Sequence, residues 1–280
     1  MRLLTLLLGL LPRAFRLWIG ESLGSLAYSL GIRRRVTLDN LALALPEVPA
    51  IDRRRIARGA YRNAGAGILD FVGTKPRELE RLLIFDGFEL FERLFAEKKG
   101  VVVASAHLGS WELLAAAAAM RGVPLNLVTR TLRGGANEEL VAARARSGLR
   151  EIPARGALRE GVKRLRRGEV VVNLLDQNML PKRGIFVDFF GVPACTTPAA
   201  SLMARRTGAP TILAVALNEP DGRVRLHVEG PFEMPQTGKA AQDVRAHTQA
   251  LVLAIEKQIR ARPEQWLWLH RRWKTRPTAG

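Results

Sequence analysis

The sequence is poor in the residues that build disulfide scaffolds, metal sites and base-stacking surfaces. Its 280 residues include one cysteine, Cys195, and four histidines. A single cysteine cannot form an internal disulfide, and a low cysteine count is typical of a reducing compartment. The sequence has no metal-ligand spacing and no glycine-rich phosphate loop, so we expect neither a metal nor a cofactor. Aromatic residues make up only 6% of the chain, which disfavours binding to nucleic acid through base stacking.

Acidic residues are also scarce. The chain has 44 Lys and Arg against 26 Asp and Glu, a formal net charge of +18. Such an excess predicts attraction to polyanions. An anionic membrane, a phosphorylated glycolipid or an acidic carrier protein fits this composition better than nucleic acid. Charge alone still leaves open a non-catalytic basic protein that binds membranes or nucleic acid.

A long uninterrupted apolar run is missing from the N-terminus. Leu3–Leu11 is too short for a bilayer, which needs about 20 residues. Arg16 and Glu21 interrupt the next apolar stretch, and Arg33–Arg35 closes it. These features favour an interfacial or weakly spanning membrane helix within residues 1–35, with the arginine cluster on anionic headgroups and the remaining chain in the cytoplasm. An ordinary core-packed helix remains the alternative.

The remaining chain alternates between β-branched runs and amphipathic segments. Apolar residues make up 48% of the sequence, enough for a sizeable core. We predict strands near 101–106, 125–129, 169–175, 211–217 and 223–228, and helices over 51–71, 77–97, 156–167 and 244–262. This alternation predicts an α/β fold with a mainly parallel central sheet flanked by helices. Residues 36–280 are expected to form one domain.

A histidine and a glutamate follow the first predicted core strand. His107 comes just after the run Val101–Val103, and Glu112 lies five residues further on. The chain can turn from strand to helix between them and bring the carboxylate back to the imidazole. An imidazole hydrogen-bonded to a carboxylate is a competent general base near neutral pH. The same pattern also fits a buried histidine with an unrelated glutamate in the first helical turn.

Several segments around this pair resemble one enzyme family. The His-x4-Glu pattern resembles the motif of the lysophospholipid acyltransferase superfamily and, more narrowly, the lipid A biosynthesis lauroyl/myristoyl acyltransferases. The supporting segments lie in the same order as in the family: Tyr61–Gly65, Arg144–Gly148, Asp176–Asn178, Ile185–Gly191 and the closing Pro263–Pro277. The resemblance covers nearly the whole chain, and the closing segment is its most specific part.

The resemblance implies a glycerolipid-acyltransferase-like fold and a set of site residues. His107 is expected as the general base and Glu112 as the group that orients it. The candidate substrate-binding residues are Arg130, Arg144, Asp176, Lys182 and Arg183. The closing Trp266, Trp268 and Trp273 fit either core packing or interfacial anchoring, and Arg271, Arg272 and Lys274 fit a membrane-facing patch.

The resemblance also implies a reaction and its partners. We expect transfer of a fatty acyl chain from an acyl carrier protein or acyl-CoA thioester to a hydroxyl of an anionic glycolipid such as a lipid A precursor. The expected location is the cytoplasmic face of a bacterial inner membrane, with no nucleic-acid partner. An acceptor that is another membrane lipid, such as a glycerolipid, aminolipid or mannoside, is the nearer alternative.

Overall fold

The computed structural model describes residues 3–129 and 135–277. Its helices are α1 Leu3–Leu10, α2 Arg13–Ser29, α3 Arg34–Ala44, α4 Ala50–Gly73, α5 Pro76–Leu82, α6 Phe88–Ala96, α7 Trp111–Met120, α8 Gly135–Arg146, α9 Ala157–Leu165, α10 Ala199–Thr207 and α11 Ala240–Ala261. Its strands are β1 Leu83–Asp86, β2 Val101–Ser105, β3 Leu125–Thr129, β4 Arg150–Pro153, β5 Val170–Leu174, β6 Ile185–Phe189, β7 Val192–Thr196, β8 Thr211–Asn218 and β9 Val224–Glu229. Short 3-10 turns occupy Pro181–Arg183 and Pro263–Gln265.

The central sheet is mainly parallel, as the alternation of strands and helices predicts. Its strand order is β1-β9-β8-β2-β5-β3-β4, and the strands from β8 to β4 all run in one direction. β9 is antiparallel to β8, and β1 is parallel to β9. β6 and β7 form a separate antiparallel hairpin. Helices cover both faces of the central strands, and the sequences of these strands are therefore continuous runs of apolar residues such as valine.

The helices cover the two faces of this sheet. Val102 and Val171 pack in one core cluster with residues of α9, α10 and α11. Val101 and Val103 point the other way and pack with α6 and with Ala115 of α7. The alternation of neighbouring valines between two clusters is the period of two that strand geometry imposes.

One predicted helix is wrong in its extent. The segment 77–97 was expected to be a continuous helix, but β1 and its flanking turn divide it into α5 and α6. Gly87, at the start of α6, has a φ of +70°, and its backbone lies against the Val228 carbonyl of β9. A short apolar run fits a strand or a buried helix equally well by period alone, so pairing with β9 decides the outcome.

The N-terminal helices pack against the rest of the fold. α2 lies along α4, and their backbones meet at Gly20, Gly24 and Gly65, where an added methyl group would meet backbone atoms of the facing helix. Arg16 is 2% exposed and lies 2.7 Å from Glu78. No helix in the described residues is long and apolar enough to cross a membrane. The membrane role of residues 1–35, and the domain boundary after them, remain predictions.

Candidate active site

His107 and Asp176 meet at the carboxyl edge of the parallel sheet. β2 and β5 are neighbours, and Ser105 pairs with Leu174 at their last shared register position. His107 and Asp176 each lie two residues beyond this pair, so the register brings their side chains together. The His107 Nδ1 atom lies 2.9 Å from Asp176 Oδ1. Sheet edges of this kind are where open α/β folds place their ligand sites.

Three hydrogen bonds fix the Asp176 carboxylate. Oδ1 faces His107 Nδ1, while Oδ2 accepts from the His107 backbone N–H at 2.9 Å and from Trp266 Nε1 at 2.8 Å. Burial raises the pKa of Asp176, but the His107 charge and these hydrogen bonds outweigh it and lower the pKa to about 2. The carboxylate therefore stays ionised at neutral pH and accepts a hydrogen bond from His107 Nδ1. In the neutral imidazole the proton is then on Nδ1 and the lone pair is on Nε2.

The same contacts shift the pKa of the His107 imidazole. Burial lowers the pKa of His107, and the charge and hydrogen bond of Asp176 oppose it, so that the pKa stands above its usual 6.5. Glu112 adds a smaller raising effect and Arg144 a lowering one. The side chain of His107 is 20% exposed, so Nε2 remains reachable from the cavity.

The expected contact between Glu112 and the imidazole is not what the structure has. Glu112 lies in the first turn of α7 and forms a bidentate pair with Arg144, whose Nε and Nη2 atoms lie 3.0 and 2.5 Å from its two oxygens. Arg144 also donates from Nη1 to Glu151 at 2.9 Å. The first helical turn directs Glu112 towards α8, while β5 supplies the carboxylate at Nδ1. Arg144 pairs with both carboxylates and, like Glu112, lines the cavity beside His107, so its role in substrate binding stays a prediction.

Two further residues surround the pair. Gln177 Nε2 lies 3.2 Å from His107 Nε2, where an amide N–H donates to the imidazole lone pair. Arg272 is fully buried and donates to the carbonyl of Cys195 at 3.0 Å. Burial lowers the pKa of Arg272 to about 10, with Asp176 opposing the shift. Sequence reasoning did not assign either residue to the site, although Gln177 follows the predicted strand-end Asp176 directly.

A cavity of 1290 Å³ opens beside His107. Its wall includes aliphatic side chains from the sheet and its helices: Leu114, Leu125, Leu127, Leu158, Val172 and Leu202. It also includes cationic side chains: Arg33, Arg183, Arg271 and Lys274. The cavity is larger than the roughly 300–1,000 Å³ of most small-molecule pockets, and it combines an apolar section with polar and charged side chains, as a binding site for a substrate with both kinds of group would.

The remaining predicted residues have different positions. Arg183 lines the cavity, whereas Lys182 beside it is exposed and lies outside the lining. Arg130 lies outside the described residues.

Among residues 3–129 and 135–277, no group of three or more His, Cys, Asp or Glu side chains is arranged to hold a metal ion.

The closing segment divides into buried tryptophans and exposed cations, since Arg271 and Lys274 are exposed. Trp266, Trp268 and Trp273 are all buried, which confirms packing over interfacial anchoring. Arg272 is also buried, so the expected membrane-facing patch is wrong at this position. Trp266 contributes more than bulk, because its indole N–H holds Asp176.

Comparison with known proteins agrees with the resemblance carried by the motifs. A sequence profile described as bacterial lipid A biosynthesis acyltransferase matches residues 2–275. The lipid A biosynthesis lauroyltransferase of Escherichia coli K12 is 29% identical over 272 residues, covering 95% of this chain and 87% of the relative. The palmitoleoyltransferase of the same organism is 27% identical, with the same coverage.

A relative with another acceptor is also similar. The phosphatidylinositol mannoside acyltransferase of Mycobacterium tuberculosis is 26% identical over 201 residues, covering 70% of this chain and 61% of the relative. These relatives are all named acyltransferases, which supports an enzyme, and the profile spans nearly the whole sequence. The chain therefore belongs to the bacterial lipid A biosynthesis acyltransferase family.

Proposed function

We propose that this protein transfers a fatty acyl chain from an acyl carrier protein thioester to a hydroxyl of a lipid A precursor or a related glycolipid. The observation that carries the proposal is the His107–Asp176 pair, in which His107 lines the large cavity, Asp176 lies buried behind it, and Nε2 is the lone-pair nitrogen. Membership of the acyltransferase family supports the reaction class. The carrier-protein donor, the residue roles and the acceptor are inferences from chemistry and resemblance.

In the proposed reaction, His107 Nε2 removes the proton of the acceptor hydroxyl as its oxygen attacks the thioester carbonyl. Asp176 keeps the imidazole in the required tautomer and stabilises the imidazolium that forms, as the aspartate of a serine-protease triad does. The tetrahedral intermediate collapses with cleavage of the C–S bond, and the imidazolium returns the proton to the thiolate. The products are an ester and a free thiol. General-base catalysis of this kind contributes about 10²–10⁴-fold.

The Gln177 amide marks where the hydroxyl would bind. Its nitrogen lies 3.2 Å from His107 Nε2, which is the position that an acceptor O–H would take when it donates to the same lone pair. Once the acceptor hydroxyl has displaced the Gln177 amide from Nε2, the amide N–H lies beside the reacting carbonyl. There it can donate a hydrogen bond to the oxyanion that develops. Glu112 and Arg144 are assigned a positioning role, holding the start of α7 against α8 beside the cavity.

The cavity wall suits both halves of the substrate pair. Its aliphatic section accommodates hydrocarbon, and its cationic residues Arg33, Arg183, Arg271 and Lys274 suit a phosphorylated sugar. A phosphoinositol mannoside offers the same combination of hydroxyls and an anionic phosphate. We therefore keep another glycolipid acceptor as the second candidate, favoured by the similarity to the mannoside acyltransferase.

The outer face of α2 supports the proposal that the enzyme acts at a membrane surface. Trp18 is 61% exposed and stacks on the exposed Phe15, and Leu26, Leu30 and Ile32 are also exposed. Amphipathic helices with aromatic anchors and flanking arginines lie in the interface of anionic bilayers. We propose that α1 and α2 rest on the cytoplasmic face of the inner membrane without spanning it.

The membrane proposal has a direct test. Replacing Phe15 and Trp18 with Ser should weaken binding of the full chain to vesicles of phosphatidylethanolamine and phosphatidylglycerol, measured by flotation. Leu253→Ser is the matched control, because Leu253 is a similarly exposed apolar residue on α11. Equal vesicle binding by the wild type and both variants would remove α2 from this role.

The catalytic proposal is tested with purified enzyme, a dodecanoyl acyl carrier protein thioester and a lipid A precursor. The acylated product is followed by mass spectrometry. We expect His107→Ala to lower turnover by at least about 10²-fold, because the general base is lost. His227→Ala is the control, since His227 pairs with Asp86 away from the cavity wall. Turnover of His107→Ala above about a tenth of wild type would remove His107 as the base.

A further inference from the structure

A second, strongly basic concavity lies between helices α9 and α10. It has a volume of 640 Å³ and is lined by Arg159, Val162, Lys163, Arg166, Arg167 and Arg206. Five of these six side chains are cationic, and all five are exposed. We call this surface the α9–α10 groove. It is separate from the large cavity that contains His107.

The charge of Glu160 acts on Lys163 and Arg167, but no salt bridge neutralises the cations of the groove within the part of the chain that the structure describes. Among residues 3–129 and 135–277, no carboxylate forms a salt bridge with any of the five. The nearby Glu160 pairs instead with Arg164 at 2.8 Å. Arg159 and Lys163, at positions i and i+4, share one face of α9, and Arg166, at i+7, is the C-cap of the same helix. Like charges at this spacing destabilise a helix slightly, so the stripe contributes to binding rather than to folding.

The groove is directly connected to the active site through its two helices. Leu158 lines the cavity around His107, and Arg159, the next residue of α9, lines the groove. Leu202 of α10 likewise lines the cavity, and Arg206, one turn later, lines the groove. At 1.5 Å per helical residue, the groove runs about 10 Å along α9 from Arg159 to the C-cap Arg166. A partner seated here would contact the same two helices that line the cavity around His107.

We propose that the α9–α10 groove docks the acidic surface of an acyl carrier protein and thereby presents the thioester to His107. This inference rests on the proposed function, which requires such a donor. Neither α9 nor α10 exposes a large apolar side chain, unlike α2, so the groove lacks the anchors of a bilayer-binding surface. It also lacks an aromatic side chain on which a nucleic-acid base would stack. A soluble, folded polyanion is the partner that fits.

The test compares two donors that carry the same acyl group. One is dodecanoyl acyl carrier protein, and the other is S-dodecanoyl-pantetheine, which has the thioester but no acidic protein. The groove variant is Lys163→Glu with Arg166→Glu, and the double alanine variant is a milder second version. The control is Arg81→Glu with Arg93→Glu, which makes the same charge change at exposed arginines of α5 and α6. α6 packs on the opposite face of the sheet from α9 and α10.

We expect the groove variant to raise the KM for the carrier-protein donor at least about tenfold with little change in kcat, because exposed charges contribute to encounter and affinity. Its kcat/KM with the pantetheine thioester should stay within about twofold of wild type. The difference between groove and control variants should shrink at 1 M salt, where the Debye length falls to about 3 Å. The alanine variant should shift in the same direction by a smaller amount.

The contrary outcomes separate this inference from the proposed function. Equal KM values of the groove and control variants for the carrier-protein donor would overturn the docking site while leaving the acyl transfer intact. A groove variant that instead loses binding to phosphatidylglycerol vesicles, with an unchanged KM for the carrier donor, would assign the groove to a membrane. A wild-type enzyme that uses neither thioester would refute the proposed function itself.

Discussion

Replacing Asp176 with Asn tests the core of the mechanism with a single oxygen-to-nitrogen change. Oδ2 accepts from two fixed N–H groups, the His107 backbone and Trp266 Nε1, while Oδ1 faces His107 Nδ1. An asparagine can keep both fixed hydrogen bonds only with its oxygen at the Oδ2 position. Its amide nitrogen then faces Nδ1 and donates to it. The imidazole must carry its proton on Nε2, which removes the lone pair that the acceptor hydroxyl needs.

The expected loss is large because the tautomer and the charge both change. The comparable aspartate-to-asparagine change in a protease triad lowers kcat by about 10⁴-fold, and we expect about 10³–10⁴-fold here. A loss of that size corresponds to about 4–5.5 kcal/mol of transition-state stabilisation. The two retained hydrogen bonds should leave the fold intact, so the thermal midpoint should change little.

The assay is single-turnover transfer from dodecanoyl acyl carrier protein, measured between pH 5 and 9, with Asp188→Asn as an exposed control on β6. In the variant, burial continues to lower the pKa of His107 while the opposing charge of Asp176 is gone. The residual activity should therefore have its acid limb below that of the wild type. A rate above about a tenth of wild type with an unmoved acid limb would refute Asp176 as the positioning carboxylate.

Three other substitutions or conditions should give distinct results. In the wild type, the acid limb of kcat/KM should lie above pH 6.5, because the pKa of His107 is raised and the imidazole is protonated at a higher pH. An acid limb at or below pH 6.5 would contradict the pairing of His107 with Asp176. Glu112→Gln should lower activity less than Asp176→Asn does, but it should lower the melting temperature because Arg144 loses part of a partly buried ion pair. The reverse order of activity losses would restore Glu112 as the group that orients His107. Gly65→Ala should destabilise the fold by about 1–3 kcal/mol in a denaturant titration, because the new methyl group meets the α2 backbone, and an unchanged midpoint would show that α2 can move aside.

The central architecture and the position of His107 could be predicted because both leave local patterns. Valine runs indicate strands buried on both faces, and a histidine directly after such a run is placed at the sheet edge. The carboxylate partner could not be chosen in this way. Glu112 is near His107 along the chain, whereas Asp176 is 69 residues away and becomes its neighbour only because β2 lies next to β5. Strand order is a property of the whole fold, and spacing within one segment does not contain it.

The sequence left the closing tryptophans open between core packing and interfacial anchoring for a related reason. An indole ring in an arginine-rich segment fits an interfacial anchor as well as a core position. The bridge between Leu108 and Trp266 shows which applies, because it places the segment against the loop that carries His107. Such a contact joins two distant parts of the sequence, and neither part alone indicates it.

The ion pairs beneath α2 have a consequence for geometry at a membrane. Arg13 donates to Asp70 of α4, and Asn63 of α4 donates to the Gln265 carbonyl, next to the tryptophan that holds Asp176. Through these contacts α2 is connected to the segment that holds His107, so the fold sets the height of His107 above the plane in which α2 would lie. If α2 lies on a bilayer, His107 Nε2 stands at a height above it that the fold sets. The distance from the lipid tails to each hydroxyl would then decide which position of a glycolipid headgroup is acylated.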